Sequence, residues 1–155
     1  MRPLIVINSL GSGGTERSTL EFVGWGVDRG WRPTVACLYR RADSLHDELD
    51  RKGVDIRFID GRLPAKLRTL RRLVSRLQPD LVHTAIFESD VLGRLAALGG
   101  PPVMSSLVNV SYGSVRLQDP NIKRWKLDVV RRVDADRLTS DQQLGVCQPE
   151  NEGTS

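Results

Sequence analysis

Short apolar runs alternate with longer segments of helical period along this chain. The runs at 4–8, 34–38, 55–59, 81–84 and 103–107 show little polar alternation, which predicts strands covered on both faces. A first helix is expected over 15–29, with Leu20, Val23 and Val27 on one face and Gly30 just past its end. Gly24 and Gly26 weaken such a helix by about 1 kcal/mol each relative to alanine, so close packing on the sheet is their expected use. A second helix starts at Ser44, where Ser44-x-x-Asp47 has the form of a capping box. Leu45 and Leu49 share its face, and Gly53 closes it.

The third helix carries the clearest stripe, Leu63, Leu67, Leu70, Val74 and Leu77. Its other face holds Lys66, Arg68, Arg71, Arg72 and Arg76, read as solvated, and Pro79-Asp80 stops it. A fourth helix turns Val91, Leu92, Leu95 and Leu98 inward and ends at Gly99-Gly100. Asp119-Pro120 announces a fifth helix, with Ile122, Trp125, Val129 and Val133 as its apolar face, and 137–139 reads as a sixth, short strand. This alternation predicts an α/β fold: an open, mainly parallel, Rossmann-like sheet with helices on both faces and the first strand central. The domain is expected over 1–140, with 141–155 a polar, disordered tail.

Composition narrows the classes. A chain of 155 residues, 39% hydrophobic and 27% charged, suits one globular domain. No apolar run approaches the ~20 residues of a membrane span, and the N-terminal apolar stretch is too short for a signal peptide, so a cytoplasmic location is expected. Two cysteines, Cys37 and Cys147, argue against a disulfide framework or a metal site. The net charge of +4 is mostly arginine. No aromatic-rich basic strand or DNA-reading motif accompanies it, so nucleic acid is not an expected partner.

Candidate chemistry begins where the first strand runs into Ser9-Leu-Gly-Ser-Gly-Gly-Thr-Glu16. Glycines there permit positive φ and a close backbone approach. The helix that follows points its positive end at the same place, so the turn could hold an anion. In an α/β domain such a junction is where a nucleotide-type ligand or its phosphates would lie. The dinucleotide fingerprint is not met, because its third glycine falls at Glu16 and Arg40 and Arg41 replace the ribose-binding acid. Those arginines would suit only the 2′-phosphate of NADP. His83, inside the fourth strand, reads either as a core histidine or as a site residue. Glu88 and Asp90 either contact hydroxyls of an acceptor or favour the start of the fourth helix.

Three segments, Leu10-Gly-Ser-Gly-Gly-Thr-Glu16, Gln78-Pro-Asp-Leu-Val-His-Thr84 and Ser106-Leu-Val-Asn-Val-Ser-Tyr-Gly113, together resemble the N-terminal domain of family 4 glycosyltransferases, over roughly 3–139. Those are GT-B enzymes, in which two Rossmann-like domains face each other across a cleft. The resemblance implies the acceptor-side half of an enzyme that moves a sugar from a nucleotide-sugar donor to an acceptor. The donor is a co-substrate, with no cofactor and no metal. Gly13 and Gly14 would approach the donor's phosphates, Thr15 and Glu16 would open the helix, and His83, Glu88, Asn109 and Tyr112 would complete the substrate-binding set. No catalytic residue is assigned.

This chain departs from the family's pattern in two places. The second histidine often found two positions after His83 is Ala85. The histidine many members carry after the fifth strand is missing from 105–109, where Asn109 can hydrogen-bond a sugar but cannot act as a general base. Tyr112 could stack on a ligand or pack at the base of its loop. The resemblance further implies a donor-binding domain missing from this chain, through truncation or a split enzyme, and inactivity without it. The acceptor is a small molecule or a lipid-linked one, the latter with peripheral contact at the inner face of the membrane, where a basic patch meets anionic lipid in the family; the third helix needs its apolar stripe for the core and cannot also lie flat on a bilayer. A non-catalytic partner subunit and an NADP-dependent Rossmann fragment are the alternatives.

Overall fold

Pro3–Ile7 forms β1, a strand buried at every position. Only the middle of a sheet covered on both faces accommodates such a run. The computed structural model describes residues 1–42 and 44–106. The expected fifth helix, the strand at 137–139, the polar tail, Asn109 and Tyr112 lie outside the described residues. Along the described chain β1 is followed by α1 (Gly14–Val27), β2 (Thr34–Cys37), α2 (His46–Arg51), β3 (Asp55–Phe58), α3 (Leu63–Leu77), β4 (Leu81–Ala85), α4 (Phe87–Ala96) and β5 (Val103–Ser106).

The five strands form one sheet in the order β3-β2-β1-β4-β5, and every pair is parallel. As the alternation predicts, β1 is central. Alternate residues of the inner strands feed two cores. Ile5, Ile7, Val35 and Cys37 pack with Leu20 and Val23 of α1 and Leu49 of α2. Leu4, Val6, Ala36 and Val82 pack with Leu70 and Val74 of α3 and Leu92 and Ala96 of α4 on the opposite face. The chain therefore winds from β1 out to β3, then crosses by α3 to the other side of β1. That reversal leaves a switch point between the carboxyl ends of β1 and β4, where open α/β sheets bind ligands.

Several local expectations are corrected. The outer strands β3 and β5 alternate between exposed and half-buried positions, and among the described residues each has a neighbour on one side only. The capping box at Ser44 does not form: Leu45 is the N-cap of α2, and the Ser44 hydroxyl accepts from the His46 amide at a long 3.4 Å. Gly26 packs on the Trp31 ring and Gly24 on the Lys52 side chain, not on the sheet. It is Gly93 of α4 that lies against the sheet, where a Cβ would come within 2.4 Å of Thr84 Cγ2.

The stripe on α3 is also rotated. Leu63 is 46% exposed, whereas Lys66, expected on the solvated face, is buried with Leu70 and Val74. Lys66 lies one turn before Leu70, so it shares the inward face. On α4 the buried set is Ser89, Leu92, Gly93 and Ala96, with Leu98 exposed beyond the helix end. No helix among the described residues is long and apolar enough to cross a membrane.

Candidate functional site

The turn after β1 holds the carboxyl rim together. Its backbone meets the β2 side, where the Tyr39 amide donates to the Asn8 carbonyl at 2.7 Å and the Leu45 amide to Leu10 at 2.7 Å. Its side chain meets the β4 side, where Asn8 Oδ1 accepts from the Ser89 amide at 3.1 Å and so satisfies a free N–H in the first turn of α4. The loops after β1, β2 and β4 are thereby tied to one another.

The glycines of this turn do not use the left-handed region expected of them; none of Gly11, Gly13 and Gly14 has positive φ. Gly13 is the N-cap of α1 in extended conformation, and Gly14, Thr15 and Glu16 form the first turn. What glycine supplies here is room. A Cβ on Gly13 would come within 2.4 Å of Glu16 Oε2, and one on Gly11 within 2.8 Å of Arg41 Nε. Glu16 folds back over the start of its own helix, where its charge suits the dipole, and accepts from the Ser9 hydroxyl at 3.2 Å. The positive end of α1 thus already has a carboxylate beside it. Gly13 and Gly14 are exposed, and among the described residues nothing stands within 4 Å of a Cβ on Gly14.

At the end of β4 the backbone is strained. Ile86, the N-cap of α4, has φ 76 and ψ 150, a region costing a β-branched residue on the order of 1–3 kcal/mol. Buried Ser89 locks it, donating to the Ile86 carbonyl at 2.9 Å and to the Ala85 carbonyl. This bend aims the first turn of α4, with Glu88, back over the rim.

Glu88 is met there by two residues from other elements. The Tyr39 hydroxyl donates to its carboxylate, 2.6 Å from Oε1 and 2.8 Å from Oε2. Lys66 Nζ lies 3.8 Å from Oε1 and 3.4 Å from the centre of the Tyr39 ring. The Lys66 side chain is 5% exposed and that of Glu88 28%. Hydrogen bonding to Glu88, with burial and the carboxylate charge adding to it, pushes the Tyr39 phenol up to about 12. The cluster is a charge-compensated pair roofed by an aromatic ring, with Glu88 partly exposed. Sequence reasoning singled out Glu88 but missed Tyr39, Lys66 and Asn8. For Lys66 a signal existed, its spacing of four from Leu70.

His83 sits two residues back from the end of β4, enclosed under α1. It is 4% exposed, its ring centre lies 5.2 Å from that of Phe22, and Nε2 is 2.8 Å from Ser106 Oγ. Among the described residues its buried Nδ1 has no hydrogen-bond partner, and burial holds the imidazole below its usual pKa. Asp90 is also turned inward. It accepts from Thr84 Oγ1 at 2.7 Å, Arg94 Nε at 2.9 Å and the Ser105 hydroxyl, binding α4 to β4 and β5. Arg40 pairs with Asp60 at 3.5 Å and lies 4.1 Å over Phe58. Of the expected site residues, Gly13, Gly14, Thr15, Glu16 and Glu88 therefore stand at the carboxyl rim, whereas His83 is enclosed. Two cavities, of about 490 and 380 Å³, open at the opposite edge, beside Pro79 and Pro101 before β4 and β5 and beside Pro33 before β2. Among the described residues no group of His, Cys, Asp or Glu is arranged to hold a metal ion.

A family model described as a glycosyl transferase 4-like domain matches residues 13–144. Among solved structures, CalG4, the calicheamicin glycosyltransferase, matches with a TM-score of 0.57 at 18% identity, over 90% of this chain and 41% of CalG4. MurG of Acinetobacter baumannii matches with a TM-score of 0.56 at 17% identity, over 68% of this chain and 35% of MurG. At that identity the likeness is one of fold, and this chain spans well under half the length of either. No curated protein sequence matches it.

Proposed function

This chain belongs to the glycosyl transferase 4-like family, and on that premise we propose that it is the acceptor-side domain of an enzyme transferring a sugar from a nucleotide-sugar donor. A second, donor-binding domain completes the site in this reading. The observation that carries it is the convergence of the β1, β2 and β4 loops at the switch point, with Glu88 open on that rim. In the reaction the bond between the anomeric carbon and the diphosphate oxygen breaks. A bond from an acceptor hydroxyl oxygen forms, and the hydroxyl proton is released to solvent along with the nucleoside diphosphate. Stabilising the leaving diphosphate is the main electrostatic demand. The exposed Gly13 and Gly14 leave room for the diphosphate to approach, with Glu16 having to turn aside from the start of α1, and Glu88 suits the acceptor. His83 supports the sheet beneath.

The test is a transfer assay with UDP-, GDP- and dTDP-hexoses, run on the chain alone and joined to the donor-binding half of a glycosyl transferase 4-like enzyme. Acceptor-dependent release of nucleoside diphosphate is expected only from the joined form. No release with any donor sinks the enzymatic reading, and turnover by the chain alone removes the need for a second domain. Tight NADP binding lost in an Arg40→Ala, Arg41→Ala variant would favour an oxidoreductase instead. The pairing of Arg40 with Asp60 and Phe58 speaks against that outcome.

A further inference from the structure

We infer that Tyr39 and Glu88 form a subsite for a neutral sugar ring, with the tyrosine ring as a platform, the carboxylate accepting from a ring hydroxyl, and Lys66 holding both in place. The inference deepens the acceptor-side reading and rests on it. Four features of the cluster point to this ligand class.

Tyr39 is 47% exposed, yet it is held at three points. Its amide donates to Asn8, its hydroxyl donates to Glu88, and one face of its ring is occupied by Lys66 Nζ. Lys66 is buried, so that face looks into the protein and the exposed part of the ring looks out. A side chain already immobilised costs a ligand little further entropy on binding, and an amphipathic ring suits a surface that is apolar on one side and hydroxylated at its margin.

Glu88 has acceptor capacity to spare. A carboxylate offers about four lone-pair positions. The Tyr39 hydroxyl takes up one proton's worth, and Lys66 at 3.8 Å is beyond hydrogen-bond distance. With the side chain 28% exposed, the remaining positions face the rim.

The charges cancel. One buried ammonium beside one carboxylate leaves no net charge for an ionic ligand to exploit, and the outward group is the carboxylate, which repels phosphate and carboxylate ligands. A hydroxyl donor is the partner that remains. Lys66 is too enclosed to touch a ligand and is a positioning residue.

Finally, the strained backbone at Ile86 aims this turn of α4 at the rim, locked by Ser89 and Asn8. Strained backbone of this kind clusters at ligand sites, where the surrounding contacts hold it.

Saturation-transfer NMR on the purified chain tests the subsite, with methyl glycosides of glucose, galactose, mannose and N-acetylglucosamine as probes and methyl glucuronide as the charged control. At least one neutral glycoside is expected to receive saturation, and methyl glucuronide is not. Tyr39→Leu should abolish the transfer. Glu88→Gln should raise Kd about ten-fold, the worth of one charge-assisted hydrogen bond, whereas Tyr39→Phe keeps the platform, loses only the bond that positions Glu88, and should raise Kd less.

Saturation of no glycoside, or undiminished saturation in a Tyr39→Leu protein whose amide spectrum is native, overturns the inference. Should Tyr39→Leu fail to fold, unchanged binding by Glu88→Gln overturns it equally. Transfer by the joined enzyme with an acceptor KM indifferent to Glu88→Gln removes the subsite and keeps the enzyme. Glycoside binding by the chain without transfer from any nucleotide sugar removes the enzyme and keeps the subsite.

Discussion

The hydroxyl of Tyr39 and the carboxylate of Glu88 join the loop after β2 to the first turn of α4 across 49 positions of sequence, bridging the carboxyl end of β1. The bond belongs to the rim rather than to the core. It links the two sides of the switch point, and Lys66 reaches it from beneath, from a helix that follows β3.

The first prediction follows from the phenol. Tyr39 is pushed up to about 12, with the hydrogen bond to Glu88 as the largest cause. Ultraviolet titration of a Tyr112→Phe protein should show Tyr39 ionising at the high value, and Glu88→Gln should return it toward the ordinary ~10. Folding favours the neutral phenol, so its contribution is full below the unfolded pKa and is lost as pH rises through the folded one. Because the ring is partly exposed, Tyr39→Phe should cost less than about 1 kcal/mol at neutral pH.

Lys66 is a stronger structural commitment. Lys66→Ala removes a buried stem, a cation over the Tyr39 ring and the charge opposite Glu88, and should cost roughly 2–3 kcal/mol by urea unfolding. Lys66→Met keeps the packing and should cost about half as much. A double-mutant cycle with Glu88→Gln should give a clear coupling energy. Additive losses would show that the 3.8 Å pair carries no interaction.

His83 sets a pH dependence of stability. Burial lowers its pKa in the folded chain. The unfolded chain takes up a proton near 6.5 while the folded one resists it to lower pH. Stability is therefore full above the unfolded pKa and falls as pH drops below it. Denaturant midpoints of wild type and His83→Gln, compared between about pH 7 and pH 5, should separate these contributions, with the variant flatter. Equal slopes would place the imidazole in solvent.

Two glycines should behave oppositely. Gly93→Ala places a methyl against Thr84 at the interface of α4 and β4 and should cost about 1–3 kcal/mol. Gly14→Ala meets nothing and has no positive φ, so thermal unfolding should stay within about 0.5 kcal/mol of wild type. Loss of transfer by a folded Gly14→Ala enzyme would then report on ligand approach.

Cys37 is fully buried, and desolvation pushes its thiol up to about 12. In a Cys147→Ser background, a disulfide reagent should label the native protein only as fast as it unfolds. Fast labelling would mean that β2 is open to solvent.

The elements themselves were legible in the sequence because they depend on local periods. Short apolar runs located the strands within one residue at each end, though β3 and β5 alternate, and the period of α3 gave its bounds at Leu63 and Leu77. The glycine turn and Glu88 were recognisable by type. What periodicity could not give was rotation. On α3 and α4 apolar residues occupy more than one face, and the sheet chose the strip containing Lys66 and the one containing Ser89 and Gly93.

The sequence by itself determined five parallel strands with helices between them, and a glycine turn after the first. The tertiary structure alone decided that Asn8 caps α4, that Glu16 covers Gly13, and that Tyr39, Lys66 and Glu88 meet. The reason is topological. Strand and helix periods are set by neighbours a few residues apart, whereas these meetings depend on α3 carrying the chain across the sheet from β3 to β4. Only that crossing brings side chains from three separate segments to one rim.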